Sequence, residues 1–202
     1  MNNKLISYRQ PALVVLFVLT AGPGPILFFL NPYTITFLPL VFLAGAYYLY
    51  QDELRLTDWN AILRSQDNLS LIRTAIQWGI YAHAINYFLM YKVPGSPMTN
   101  TLLAQYPMMA LNAALFGPVI EEVVYRKIIF GSLIRMMSFW PSAILSSIIF
   151  ALAHFSVKLF LAYAGVGLVL CWVYRKSGSL LPPILVHAAL NIIGVAAMTL
   201  QL

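Results

Sequence analysis

The chain has 202 residues, of which 61% are hydrophobic and 9% charged, with a net charge of +6 and a mean hydropathy of +0.80. Soluble domains carry about 25% charged residues, so these values exclude an ordinary soluble globular protein and indicate a polytopic helical membrane protein. No segment shows the strict alternation of a β-barrel strand, and the lone Cys171 excludes an intramolecular disulfide and reads as a small core side chain.

The expected architecture is all-α: one integral-membrane domain over 1–202, with about seven transmembrane helices at ~20 residues per span. Met1–Gln10 is short and basic, and the apolar run Pro11–Leu30 that follows is too long for a signal-peptide core and lacks a cleavage site. It reads as a retained first span, kinked near Gly22-Pro23-Gly24-Pro25. Asn31-Pro32 marks a tight turn, and Ile35–Tyr50 supplies the second span. Gln51–Asn68 is the most polar piece; Leu54, Leu56, Trp59, Ile62 and Leu63 recur at near-helical spacing between charges, which suits a surface amphipathic helix or a solvated connector. Leu69–Tyr91 is the third span, followed by a Pro/Gly-rich connector, Lys92–Thr101.

Leu102–Ser138 is one broken span or two shorter segments, with Gly117-Pro118 as the break and Pro118 well placed at a helix start. Pro141–Val157, Leu159–Tyr174 and Leu180–Leu200 complete the chain. With a cytoplasmic N-terminus and the 102–138 region crossing once, ten basic residues (Lys4, Arg9, Arg55, Arg64, Arg73, Arg126, Lys127, Arg135, Arg175 and Lys176) fall on the cytoplasmic side. Only Lys92 and Lys158 fall outside, as the positive-inside rule requires. Basic residues placed between apolar segments suit topology and anionic lipid headgroups rather than nucleic acid.

Inside the apolar segments stand three polar groupings: Glu121, Glu122 and Arg126; Phe150-x-x-x-His154; and His187-x-x-x-Asn191. Charge at membrane depth costs about 2.5–3.5 kcal/mol per residue on insertion scales, so each grouping is a functional candidate. Residues four apart share a helix face, so Glu122 meets Arg126 with the acid on the N-terminal side. Glu121 lies about 100° round the helix and is left for general-base work. A cavity holding Glu121, His154, His187 and Asn191 could activate a water and donate hydrogen bonds to an oxyanion. Taken singly, an intramembrane His or Asn is more often an interhelical hydrogen-bond partner, and His83, Asn86 and Asn112 are read that way.

The set Glu121-Glu122-x-x-x-Arg126, Phe150-x-x-x-His154 and His187-x-x-x-Asn191 resembles the signature of the CPBP family, which includes CAAX prenyl endopeptidases and bacteriocin-processing or Abi proteins. Gly165-x-Gly167-Leu168 and Ser177-Gly178-Ser179-Leu180 extend the resemblance, which covers Gly117–Asn191 within a 102–202 catalytic core. Residues 1–101 show only a generic membrane-helix pattern. The resemblance implies an intramembrane endopeptidase of the glutamic type. Glu121 would activate the water and His154 orient it or share its proton. His187 and Asn191 would stabilise the oxyanion, while Glu122 and Arg126 form a supporting ion pair.

An alternative within the family makes the enzyme a zinc metalloprotease with Glu121, His154 and His187 as ligands. The metal-free reading is adopted because Arg126 ties up one acid and an Asn amide suits an oxyanion better than zinc. The implied partners are the lipid bilayer and a membrane-embedded or lipid-anchored peptide or protein. The implied location is a bacterial or archaeal plasma membrane. Two further readings are a proton-coupled transporter using Glu121 and the histidines as a relay, and a non-catalytic immunity protein.

Overall fold

Apolar runs punctuated by capping residues fold into eight helices, with no strand among the described residues, which in this computed structural model are 3–22, 31–93, 105–106 and 108–199. They are α1 (Asn3–Thr20), α2 (Pro32–Leu56), α3 (Trp59–Arg64), α4 (Gln66–Met90), α5 (Met108–Leu133), α6 (Phe139–Leu152), α7 (Phe160–Ser177) and α8 (Leu181–Thr199). Within these, Pro32–Asp52 and Met108–Leu133 are long and apolar enough to cross a membrane. The outer faces of the other long helices are also oily, with Leu19, Trp78, Phe88, Ile148 and Ile192 all exposed.

The helix ends follow from local chemistry. Asn31 is the N-cap of α2: its Oδ1 accepts from the amides of Tyr33 and Thr34, and the Thr34 hydroxyl closes the box by accepting from the Asn31 amide. The expected turn at Asn31-Pro32 is thus a helix start, with Pro32 in the first turn where no N–H is needed. Asp58 and Ser65 cap α3 and α4 by accepting from Ala61 and Asn68. The polar stretch 51–68 is therefore neither one surface helix nor a plain connector: α2 runs on to Leu56, and only the short α3, which buries no residue, lies between it and α4. Gly178, at φ +65°, ends α7 in the left-handed conformation that glycine adopts without steric cost.

Helix α5 is the centre of the fold and touches α1, α2, α6, α7 and α8. Its Ile120, Val124, Tyr125 and Ile128 pack with Leu13 and Phe17 of α1, Phe42 of α2 and Phe150 of α6. A second cluster joins Ala75 of α4 to Val166, Leu170 and Val173 of α7 and Val186 and Leu190 of α8. Between them, Phe130, Ala143 and Cys171 tie α5, α6 and α7 together, and Cys171 is the small core side chain expected.

Three expectations need correction. The first helix begins at Asn3 and carries Pro11 inside it, so its start precedes the predicted span; the Pro23–Leu30 part of that span lies outside the described residues. The 102–138 region is a single helix from Met108 to Leu133, unbroken at Gly117-Pro118. Here two π-helical stretches, Asn112–Phe116 and Glu122–Phe130, flank Gly117–Glu121. The Gly117 amide bonds back to the Asn112 carbonyl five residues away, and this wider turn makes room for the Pro118 ring without a break. Finally, α6 stops at Leu152, so His154 stands just beyond the helix rather than on it. The 94–104 part of the predicted connector and span start lies outside the described residues.

Asn86 and Asn112 are interhelical hydrogen-bond partners, as read from the sequence. Asn86 donates to the Lys158 carbonyl and accepts from the Ala162 amide, and Asn112 donates to the Ile35 carbonyl. His83 departs from that reading: it lies on the exposed side of α4, lining a shallow groove with Tyr87, Tyr91 and Lys158.

Candidate active site

The three polar groupings meet at the middle of α5. Glu122 and Arg126 are fully buried, and Glu122 Oε2 stands 3.1 Å from Arg126 Nε. That contact is electrostatic rather than a well-formed hydrogen bond, since no acceptor among the described residues meets Nε, Nη1 or Nη2 with hydrogen-bond geometry. The guanidinium carbon instead lies over the Phe150 ring, 4.6 Å from its centroid, a cation–π arrangement that burial strengthens.

Glu122 has a second partner that helix spacing does not reveal. Its Oε1 accepts from His187 Nδ1 at 2.8 Å, so the carboxylate bridges α8 and Arg126. With Nδ1 donating, the neutral His187 ring carries its lone pair on Nε2. That nitrogen faces Glu121 Oε2 at 3.6 Å.

His154 is oriented in the same manner by a different acceptor. The end of a helix leaves carbonyls without intrahelical donors, and His154 Nδ1 donates to one of them, the Phe150 carbonyl, at 2.8 Å. A tight turn from the His154 amide to the Ala151 carbonyl brings the ring back under α6, so the Phe150–His154 pairing survives the end of the helix. Its bare Nε2 also faces Glu121 Oε2, at 3.8 Å.

Three hydrogen-free acceptors therefore converge: Glu121 Oε2, His154 Nε2 and His187 Nε2. Glu121 Oε2 is buried without a hydrogen-bond partner among the described residues, while the Glu121 and His154 side chains as wholes remain 26% and 21% exposed. The site is thus open at Glu121 and His154 and sealed at Glu122, Arg126 and His187. At Gly117 a Cβ would press to 3.0 Å on the Asn112 carbonyl oxygen, which receives the bond of the widened turn.

Asn191 sits one turn after His187, and its amide donates to the Ala113 carbonyl of α5 at 2.7 Å. Ala113 lies in the first π-helical stretch, so Asn191 ties α8 to the widened turn just before the glutamates.

Two aromatic side chains take larger parts in the site than the sequence assigned them. Phe150 is the hub of the cluster, edge-on to Tyr125 at 5.1 Å and to His187 at 5.7 Å. Tyr163, in the first turn of α7, stacks on His154 with centroids 3.9 Å apart and planes 27° from parallel. Phe150 was at least marked by its spacing from His154. Nothing in the pattern around Tyr163 distinguishes it from the other tyrosines.

Glu121, His154 and His187 offer one carboxylate and two imidazoles, a donor set that suits zinc by chemistry. Among the described residues no group of three or more His, Cys, Asp or Glu side chains is placed to hold a metal ion. What the geometry suits directly is a polar molecule carrying its own hydrogens, placed between the carboxylate and the two rings.

Residues 103–193 match the type II CAAX prenyl endopeptidase Rce1-like family. YdiL of Bacillus subtilis (strain 168) is 33% identical over 85 residues, which are 42% of this chain and 35% of that protein. The membrane-embedded CAAX protease MroQ of Staphylococcus aureus (strain USA300) is 34% identical over 105 residues, 48% of this chain and 42% of MroQ. The UPF0177 protein YxdF of Lactococcus lactis is 30% identical over 104 residues, 50% of this chain and 57% of YxdF. The matches thus span between about a third and somewhat over half of these relatives' lengths. No solved structure matches the chain.

Proposed function

We propose that this chain, whose residues 103–193 match the type II CAAX prenyl endopeptidase Rce1-like family model, is an intramembrane endopeptidase that hydrolyses a peptide bond with an activated water. The observation that carries this reading is the convergence of Glu121 Oε2 with His154 Nε2 and His187 Nε2 at 3.8 and 3.6 Å. The gaps are too long for direct hydrogen bonds and suit one small bridging donor.

A water there donates one hydrogen to Glu121 and the other to an imidazole. Glu121 takes the proton as the water oxygen bonds to the peptide carbonyl carbon. The tetrahedral intermediate carries its negative charge on the former carbonyl oxygen. An amide nitrogen has two hydrogens; Ala113 takes one from Asn191, and the other is available to that oxyanion. His187 serves the same oxyanion only with a proton taken from solvent at Nε2 before the attack, Glu122 then balancing the charge from Nδ1 and His154 alone receiving the water's second hydrogen. Collapse breaks the C–N bond, and the proton held by Glu121 passes to the leaving amine. Glu122 and Arg126 stay out of the proton traffic and hold His187 and Phe150 in place.

The substrate is a membrane-associated protein or peptide, consistent with a site buried among oily helices. The long apolar helices besides α2 and α5 are read as inserted too, which gives about seven crossings and an integral bacterial membrane protein with a cytoplasmic N-terminus. The wide display of large apolar side chains on their outer faces supports this, since a water-soluble surface rarely tolerates contiguous apolar area of that extent.

The test is cleavage of a candidate membrane peptide by purified wild type and Glu121→Ala, each with and without a strong chelator. Wild type should cleave in both conditions and Glu121→Ala in neither. Retained cleavage by Glu121→Ala would remove the general base. Loss of wild-type cleavage on chelation, restored by zinc, would transfer Glu121, His154 and His187 to ligand roles. Substrate flux into liposomes without proteolysis would instead support a transporter.

A further inference from the structure

We propose that Tyr163 is a positioning residue for the reaction, holding the His154 ring by its face in the tautomer that turns Nε2 toward Glu121; this rests on the endopeptidase reading of the same site. His154 needs such a support. Its backbone lies beyond the end of α6, in the 153–159 turn, where no helix ladder restrains it. The next residue, Phe155, has φ +49°, a left-handed conformation that non-glycine residues adopt only under strain. The ring itself has one hydrogen bond, to the Phe150 carbonyl, and an edge contact with the Phe150 ring at 4.6 Å.

Rotation of the imidazole about its own bond would break that hydrogen bond and present Cε1 or Cδ2 to Glu121. Tyr163 blocks the rotation. Its ring covers one face of the imidazole at 3.9 Å and meets Phe150 edge-on at 6.4 Å, so His154 is confined between two aromatic surfaces. The same π face accommodates the positive charge that His154 acquires if it shares the water's proton.

Tyr163 is itself held from a distance. Its amide donates to the Leu159 carbonyl in the first turn of α7. The preceding Ala162 amide, one of the donors that a helix start leaves unpaired, is taken up by Asn86 Oδ1 from α4. Asn86 Nδ2 donates to the Lys158 carbonyl in the same stroke, so one buried amide fixes both the turn that carries His154 and the helix start that carries Tyr163. The His154 ring and its cover therefore share one anchor.

The experiment compares wild type, Tyr163→Phe and Tyr163→Leu by peptide cleavage and by nitrogen NMR of the ¹⁵N-labelled His154 ring in the resting protein. In wild type and Tyr163→Phe the hydrogen resides on Nδ1, and Tyr163→Phe keeps the activity that Tyr163→Leu loses. In Tyr163→Leu the ring populates both tautomers, and kcat falls by about 10–100-fold, the usual cost of losing an orienting partner, with KM little changed. Should Tyr163→Leu fail to fold, Tyr163→Met carries the same comparison. A folded aliphatic variant with the wild-type tautomer and kcat overturns the proposal. So does Tyr163→Phe as impaired as Tyr163→Leu, because the hydroxyl rather than the ring face would then be responsible. The NMR measurement needs no substrate: if wild type cleaves nothing, the endopeptidase reading fails while the tautomer still decides the role of Tyr163.

Discussion

At the scale of single residues, the two adjacent glutamates occupy opposite situations. Glu122 is sealed, with one oxygen toward Arg126 and the other accepting from His187. Glu121 keeps a buried oxygen with no hydrogen-bond partner among the described residues, while its side chain stays 26% exposed. Removing Arg126 strands the Glu122 charge in the core, and breaking a buried pair in that way costs about 3–5 kcal/mol. Arg126→Ala is therefore expected to lower thermal stability in detergent and the yield of folded protein, whereas Glu121→Ala abolishes cleavage with little change in melting. Arg126→Lys should not restore stability, because an ammonium has no planar face to lie on Phe150. Equal stability of Arg126→Ala and wild type would show that the pair supplies no structural support.

At the scale of elements, the close approach of α7 to its neighbours depends on two glycines. A Cβ on Gly167 would come within 2.8 Å of Ser147 Cβ and 3.0 Å of Ser147 Cα in α6, and one on Gly165 within 2.9 Å of Ala82 Cβ in α4. The obstruction at Gly167 includes backbone, which cannot rotate aside. Small residues at a helix interface let backbones approach in this way inside membranes. Gly167→Ala should then push α6 from α7 at a cost of roughly 1–3 kcal/mol, as overpacking does elsewhere. Since α6 carries Phe150 and leads into His154, activity should fall further than stability alone explains. An alanine variant with wild-type melting temperature and activity would mean that the helices separate without disturbing the site.

At the scale of the whole molecule, the orientation proposed from the distribution of basic residues can be tested directly. Lys92 follows α4 and Arg135 follows α5, and both are exposed. If α5 crosses the membrane once, they lie on opposite sides. Single cysteines at these positions should react with a membrane-impermeant maleimide from opposite faces of sealed cells, Lys92→Cys from outside and Arg135→Cys only after permeabilisation. The native Cys171 is fully buried and gives little background. Labelling of both from the same side would require α5 to enter and leave by one face, and would invert the later half of the topology.

How much of this was legible depends on the range of each interaction. Composition alone dictates an all-helical, oily chain, because backbone groups in lipid must be satisfied within each segment. Helix periodicity pairs Glu122 with Arg126 and His187 with Asn191, since neighbours on one helix face are set by the backbone itself. Glu121, His154, His187 and Asn191 likewise stood out as polar groups at apolar positions; the fold brings the first three side chains together, while Asn191 donates to the Ala113 carbonyl of α5. Beyond that range the sequence is silent. The second bond of Glu122, to a ring 65 residues away, has no local signature. Neither does the continuation of α5 through Pro118, which relies on π-helical turns stabilised by its neighbours. Tyr163 on His154 and Asn86 beneath both are products of helix packing, in which a side chain's role is decided by whichever face of another helix it happens to meet.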